Sequence, residues 1–430
     1  MIGKVIYSII SIIVLALVYP VPNIQEVNFT EEIVVQLIYY ALLMLVIFYL
    51  IWGTKLGDYV NKVIEKSFIP NADNHLSDEY YQWIYVVRGL AIIAVVVCHQ
   101  QYFLHSTEWL QMFSLYSVTS FIFCMGLTKW LSVSKYLSQT TNICWKRYIG
   151  DSIKKILWEY LLVTMLYLTI AQNFSYLNTW NAMLQFNASG PLYFVAYVIW
   201  YSIFGPFLCL WLKYRSGGNG SLIIGLMGIY IVSYIGLSTA NIFGGSYLLV
   251  YVLGMLCSKH GFYKVKKRHV LLAIIFWGFS ALLLYDFYFN GYIGGDSSIF
   301  TDLINFLIPK LNFNPPNNTV LIYSFASINL FYVLFEKTKH FKGIKWLHHI
   351  LTQLGKYSLD IFMWHIMIQR FWVLYGGGVS NIWLKRILAY FTMLMLPVFG
   401  RKLFEIMKNK VKYLSFHREA ENGGKESPRT

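Results

Sequence analysis

The chain has 430 residues, of which 57% are hydrophobic and only 13% are charged, and its mean hydropathy is +0.51. Soluble domains carry about 25% charged residues, so this composition excludes ordinary soluble domains and predicts an all-α bundle of transmembrane helices. In a soluble protein the net charge of +15 would indicate a nucleic-acid partner, but here it is expected from basic cytoplasmic loops, and no nucleic acid is expected.

Apolar stretches of about 20 residues, the length that crosses a bilayer, recur about twelve times along the chain. The predicted spans are 4–22, 33–52, 84–104, 113–131, 156–172, 192–212, 222–238, 243–257, 269–289, 319–335, 357–375 and 382–400. The first resembles a signal peptide but lacks a small-residue cleavage pattern, so we expect a retained helix. Residues 54–68 are predicted to form an amphipathic helix on the inner membrane surface, and the tail from Lys408 is predicted to be disordered.

Lysines and arginines divide unequally between alternate loops. With the N-terminus inside, 30 of the 35 lie in inner segments, whereas the outer loops hold only Lys310. This asymmetry predicts a multi-pass protein of the plasma (inner) membrane with both termini cytoplasmic. The outer loop 173–191 has no charged residue and is rich in Asn, Gln and aromatic residues, a composition typical of carbohydrate binding and also of ordinary solvated loops.

The third predicted span contains two polar residues at a helical spacing. Arg88 and His99 are eleven residues apart, so they lie on one helical face, about 16 Å apart along the axis. An arginine inside a membrane requires a partner or a watery cavity. The pair fits a channel that binds an anion near the inner surface and carries out acid–base chemistry further out. The structural alternative is an interfacial arginine and a hydrogen-bonded core histidine.

Four segments of the chain resemble signatures of the membrane-bound acyltransferase family 3. They are residues 88–99, 190–194, 247–254 and 355–365. The first has the form Arg-x-x-Ala followed by a histidine, and the last has the form Gly-x-x-Ser followed by a histidine. The resemblance covers residues 80–400. Residues 1–79 are then an addition of two transmembrane helices and the interfacial helix, and residues 401–430 a basic cytoplasmic tail.

The resemblance also implies an activity and a set of site residues. Family members have ten core helices and move an acyl group, usually acetyl, from cytoplasmic acyl-coenzyme A to a hydroxyl of an extracytoplasmic glycan or lipid-linked oligosaccharide. By the matched positions, His99 is the catalytic histidine, His365 is a second catalytic candidate, and Arg88 is the inner residue of the acyl-donor channel. Acetyl-coenzyme A is then a substrate rather than a bound cofactor, and membrane lipid is a further partner.

One basic loop departs from the family pattern. Members commonly carry Arg-x-x-Arg after the second core helix, whereas this chain has Lys146-Arg147 and Lys154-Lys155. Arg147, Lys154 and Lys155 are candidates for holding coenzyme A phosphates, although lysines lack the bidentate fork of arginine; a solvated cytoplasmic loop is the alternative. Glu159 stands where a proline is common. The five cysteines have no Cys-x-x-Cys spacing, so no metal site is predicted.

Two other classes of function share the same predicted topology. A transporter or flippase of lipid-linked sugar or of a small solute would have about twelve spans. Such proteins tend to show repeated halves, whereas residues 1–215 and 216–430 show no self-similarity. A glycan polymerase would be expected to have basic outer loops, which this sequence lacks. The favoured hypothesis is therefore an integral-membrane O-acyltransferase.

Overall fold

The computed structural model describes residues 78–99, 108–139, 145–170, 186, 190–214, 222, 225–226, 229, 247–261, 265–289, 318–379 and 381–423. Several predicted features lie outside these residues: the first two spans, the interfacial helix 54–68, nearly all of the outer loops 173–191 and 290–318, and most of the span at 222–238.

Every element in the described ranges is helical, which confirms the predicted all-α membrane class. In chain order the α-helices are α1 (Asp78–Cys98), α2 (Glu108–Ser114), α3 (Tyr116–Gln139), α4 (Trp145–Ile170), α5 (Tyr193–Tyr214), α6 (Leu248–His260), α7 (Lys267–Asp286), α8 (Asn318–Thr338), α9 (Lys345–Lys356), α10 (Ser358–Tyr375) and α11 (Ile382–Gly423). Short 3-10 segments precede α5 and α9 and follow α10.

Several of these helices are long and apolar enough to cross a membrane. Among the residues described, the segments of sufficient length are Glu108–Tyr136, Tyr193–Lys213, Lys267–Phe289, Thr319–Thr338 and Ile382–Met407, and shorter apolar helices are Gln82–Cys98 and Leu248–His260. Each overlaps a predicted span. The total of about twelve remains a prediction. The first two spans and most of the seventh are not described, and α4 and α10, which contain the predicted spans 156–172 and 357–375, are not among the helices named above.

Helix α1 lies at the centre of the bundle, in contact with α3, α8, α9 and α10. One stripe of its surface, Ile84, Val87, Ala91 and Val95, is completely buried. These residues recur at intervals of three and four, the spacing that places side chains on one face of a helix. The sequence of α1 therefore carries a packing face as well as its two polar residues.

Reciprocal glycine contacts fix α1 against α9. Gly89 of α1 lies against the carbonyl oxygen of Leu351, and Gly355 of α9 lies against the carbonyl oxygen of Tyr85. A Cβ atom at either glycine would overlap the opposite carbonyl group. Small residues permit such close approach between membrane helices, whose association depends on tight packing. Arg88 is thus held next to one of the closest backbone contacts in the bundle.

A second pair of glycines joins α3 to α6 in the same manner. Gly126 lies against the carbonyl oxygen of Tyr251, and Gly254 lies against the carbonyl oxygen of Phe123. Gly254 is the last residue of segment 247–254, one of the four segments that resemble family signatures. The structure explains why this position is a glycine: no side chain fits at the contact of α3 and α6.

Two features differ from the sequence-based expectations. Helix α9 lies between the predicted spans 319–335 and 357–375, in a stretch that was expected only to be an inner segment. The tail from Lys408 was predicted to be disordered, and this is wrong as far as Gly423, where α11 ends. The residues between them are mostly good helix formers such as Lys, Leu, Arg, Glu and Ala, and they contain neither proline nor glycine.

Candidate active site

Arg88 is anchored by a serine rather than by a carboxylate. Its Nη2 and Nε donate to Ser358 Oγ at 2.8 and 3.1 Å. Ser358 is fully buried and begins α10, and the guanidinium carbon lies 5.9 Å from the centre of the Tyr85 ring. None of the ion pairs formed within the described residues includes Arg88. A neutral hydroxyl therefore fixes the orientation of the guanidinium without neutralising its charge.

Two histidines meet where α1 ends. The rings of His99 and His365 have centroids 5.6 Å apart and planes inclined by 35°. Gln369 Nε2 donates to the carbonyl oxygen of His99 at 2.9 Å, which ties the end of α1 to α10. His99 is partly exposed, whereas His365 is completely buried. The two imidazoles thus form one site, with His99 on its more accessible side.

The backbone fixes the tautomer of His365. Its Nδ1 lies 2.6 Å from the carbonyl oxygen of Phe362 and 3.2 Å from that of Ile361. Because a carbonyl oxygen only accepts, Nδ1 carries the hydrogen, and Nε2 of the neutral ring keeps its lone pair. Nε2 is buried and has no hydrogen-bond partner among the described residues. His365 therefore has a hydrogen-bond acceptor, Nε2, on a ring that lies beside the ring of His99.

The Arg88–Ser358 pair and the His99–His365 pair both lie along the contact between α1 and α10. Ser358 and His365 are seven residues apart, which is two helical turns less about 20°, so they share a face of α10. Arg88 and His99 share a face of α1 by the same reasoning. The structure places Arg88 beside Ser358 and His99 beside His365. A cation and a pair of imidazoles thus lie about 16 Å apart along one helix.

The three basic residues predicted to hold donor phosphates lie in the first half of α4. Lys154 is exposed there. The side chains of Arg147 and Lys155 lie outside the described part of the structure. Donor binding by these three residues therefore stays a prediction.

Sequence reasoning included Ser358 in the Gly-x-x-Ser signature but gave it no role, and it did not single out Gln369. A signal for Ser358 was present, since it stands seven residues before His365 and thus on the same helical face. Gln369 is one turn beyond His365 and could have been found in the same way. In the ranges that the structure describes, no group of three or more His, Cys, Asp or Glu side chains is placed to hold a metal ion.

Comparisons with known proteins point to one family. A family model described as an acyltransferase domain matches residues 81–400, which include Arg88, His99, Ser358 and His365. No curated protein and no solved structure matches the chain.

Proposed function

The chain belongs to this acyltransferase family and is a membrane acyltransferase, and we propose that it transfers an acetyl group from cytoplasmic acetyl-coenzyme A to a hydroxyl of an exported or lipid-linked polysaccharide. One observation carries the proposal: the contact of α1 and α10 has at one end the guanidinium of Arg88, which forms no ion pair among the described residues, and at the other end two imidazoles, His99 and His365. Such a line of residues suits a negatively charged donor and a hydroxyl acceptor that approach from opposite ends.

The donor end of the proposed path is built around Arg88. Two of its N–H groups are used on Ser358, and the other donors of the planar fork remain for an anionic or carbonyl oxygen of acetyl-coenzyme A. Arg147, Lys154 and Lys155 would hold the phosphates of the donor at the cytoplasmic surface. The donor enters as a substrate and leaves as the free thiol.

The chemical step needs a proton acceptor near the thioester. We propose that His99 takes the proton of the acceptor hydroxyl as its oxygen attacks the thioester carbonyl carbon. When the tetrahedral intermediate collapses, the carbon–sulfur bond breaks, and the leaving thiolate recovers the proton from His99. The thioester is already activated, so alignment of the two substrates supplies a large part of the rate enhancement.

His365 is proposed to orient His99. Its unpaired Nε2 can accept a hydrogen bond from the ring of His99, and this fixes which nitrogen of His99 faces the hydroxyl. The carboxylate of a serine-protease triad orients its histidine by the same logic. The burial of His365 and its two backbone carbonyl contacts favour this positioning role over direct contact with the acceptor.

The acceptor and the direction of transfer follow from the proposed topology. We propose that both termini of a plasma-membrane protein lie in the cytoplasm, because 30 of the 35 basic residues would then lie inside. In this topology α1 starts on the cytoplasmic side, so Arg88 lies closer to the cytoplasm than His99. A hydroxyl of an extracytoplasmic glycan or lipid-linked oligosaccharide would reach His99 from outside.

Mass spectrometry of surface glycans tests the proposal. Glycans from cells that make the chain should carry acetyl groups that are missing from cells that lack it or that make His99→Gln. The amount and length of the glycan should be the same in all three. Unchanged acetylation would contradict the proposal, and loss of the glycan itself from the surface would indicate a transporter or flippase instead.

A further inference from the structure

A cleft of about 810 Å³ opens on the side of the bundle between α4, α10 and α11. Its apolar lining includes Leu162, Met165, Ile368 and Leu396. Three of these side chains are largely exposed: Leu162 at 50%, Met165 at 45% and Leu396 at 56%. On a membrane-spanning bundle, such a surface contacts lipid chains rather than water.

One end of the cleft is charged. Arg401 Nη1 lies 3.6 Å from Asp360 Oδ1 and 3.8 Å from Glu159 Oε2, and its Nε lies 3.7 Å from Glu405 Oε1. Trp364 Nε1 donates to the other oxygen of Glu159 at 3.1 Å. Glu159, Asp360 and Arg401 all line the cleft. Glu159, which departs from the family pattern, therefore has defined partners here.

The cleft lies on the opposite side of α10 from the candidate active site. Asp360 follows Ser358 by two residues, which is a rotation of about 200°. Asp360, Trp364 and Met367 recur at intervals of four and three and line the cleft, whereas Ser358 and His365 contact α1. A single helix thus separates two sites, and the cleft is not part of the proposed acyl-transfer path.

The charges at this end are incompletely matched by the protein. Three carboxylates surround one guanidinium, and every N–O distance exceeds 3.5 Å, whereas direct charge-assisted hydrogen bonds measure about 2.7–2.9 Å. Glu159 and Asp360 also hydrogen-bond each other, so these two carboxyl groups share a proton that a cation can replace. The N–H groups of Arg401 that make these long contacts can donate to a further anion. Ionised groups among membrane helices are costly unless such partners are present.

We propose that the cleft binds one membrane phospholipid whose headgroup carries a primary ammonium, of the phosphatidylethanolamine type. The ammonium replaces the proton shared by Glu159 and Asp360 and donates to both carboxylates, the phosphate contacts Arg401, and the acyl chains follow the apolar wall formed by Leu162 and Leu396. This lipid supplies both missing charges and the apolar volume in one molecule.

The aromatic residues of the cleft support the same occupant. Trp158 and Phe404 line it and are exposed at 68% and 53%. Tryptophan is enriched where a membrane protein meets the headgroup region. Trp158 is adjacent to Glu159, so the charged end of the cleft lies at the depth of the headgroups and its apolar part at the depth of the chains.

Native mass spectrometry of the full chain in detergent tests the proposal. Dioleoyl phosphatidylethanolamine, phosphatidylcholine and phosphatidylglycerol are added separately at one concentration, and the retained adducts are compared. The choline lipid keeps both charges but cannot donate ammonium hydrogen bonds, and the glycerol lipid lacks the cation. We expect the ethanolamine lipid to be retained about tenfold more than the other two, the ratio that one charge-assisted hydrogen bond supplies.

Variants with matched controls assign the selectivity to the cleft. Glu159→Gln should abolish the preference, whereas Asp151→Asn, an exposed acid on the same helix, should keep it. Leu162→Trp fills the apolar wall with all charges intact and should lower retention of every lipid, whereas Leu157→Trp, outside the cleft, should not. The exposed positions 157 and 162 tolerate a large side chain, so this second pair remains informative if Glu159→Gln does not fold.

Specific results would overturn the assignment. Equal retention of the three lipids, or stronger retention of phosphatidylglycerol, would contradict an ammonium site. Wild-type selectivity in Leu162→Trp would place the lipid elsewhere. The lack of any retained lipid, as expected if residues 1–77 or a second copy of the chain covers the cleft, would also overturn it. None of these results depends on acyl transfer.

Discussion

The imidazole rings of His99 and His365 lie with their centroids 5.6 Å apart, although 266 positions separate them along the chain. The backbone of α10 fixes the tautomer of His365 through Nδ1. The packing of α1 against α10 brings the ring of His365, whose Nε2 has no hydrogen-bond partner in the described part of the chain, beside the ring of His99. A buried imidazole with one nitrogen fixed and the other unpaired is suited to orienting a neighbour. The two histidines should therefore respond differently to mutation.

His365→Gln should reduce the maximal rate by about tenfold to a hundredfold, the loss expected when a reacting group is misplaced by about 1 Å. The KM for acetyl-coenzyme A should be unchanged, since the donor end of the path lies at Arg88. Steady-state kinetics in proteoliposomes would measure both. A large increase in donor KM with an unchanged maximal rate would assign His365 to donor binding instead.

Arg88→Lys should raise the KM for acetyl-coenzyme A about tenfold or more, because lysine keeps the charge but loses the fork that contacts Ser358. Membrane insertion should be preserved. Ser358→Ala should give a smaller increase, since the guanidinium remains but loses its anchor. Wild-type kinetics of Arg88→Lys at limiting donor would leave only an interfacial role for this arginine.

Gly355→Ala should destabilise the bundle by about 1–3 kcal/mol, because its Cβ atom would overlap the carbonyl oxygen of Tyr85 and force α1 away from α9. Thermal unfolding in detergent should show a lower Tm. Gly278→Ala is the matched control, since a Cβ atom there meets nothing within 4 Å. Equal Tm values for the two variants would show that the α1–α9 contact is not tight.

The sequence was informative where periodicity alone decides geometry. The eleven-residue spacing of Arg88 and His99 and the seven-residue spacing of Ser358 and His365 each place two residues on one face of a helix. Which helices then meet depends on close contacts such as Gly89 with Leu351, and the spacing of residues in one helix does not reveal its partner.

The sequence contained weaker signals for helix α9 and for the partners of Glu159. Helix α9 has only 12 residues, too few for a membrane span, and a search for apolar stretches passes over it. Glu159 stood out only as a departure from a family pattern. Its partners Trp364 and Arg401 come from α10 and α11, more than 200 positions further along the chain.

The distribution of basic residues predicts the topology directly. In a background without the five native cysteines, a cysteine at Ser298 should react with a membrane-impermeant maleimide from outside intact cells. A cysteine at Ser427 should react only after the cells are opened. Reaction at position 298 only from the inner side would reverse the topology and with it the proposed direction of transfer.

The most direct test of acyl transfer is the rate of acetylation by His99→Gln. Glutamine keeps a similar size and can form hydrogen bonds but cannot take up the proton, so the rate should fall by roughly 10²–10⁴-fold, more than in His365→Gln. The variant should accumulate in the membrane at the wild-type level and bind acetyl-coenzyme A with wild-type affinity. Acetylation of the glycan at the wild-type rate by His99→Gln would contradict the proposed mechanism and leave His99 with a packing role.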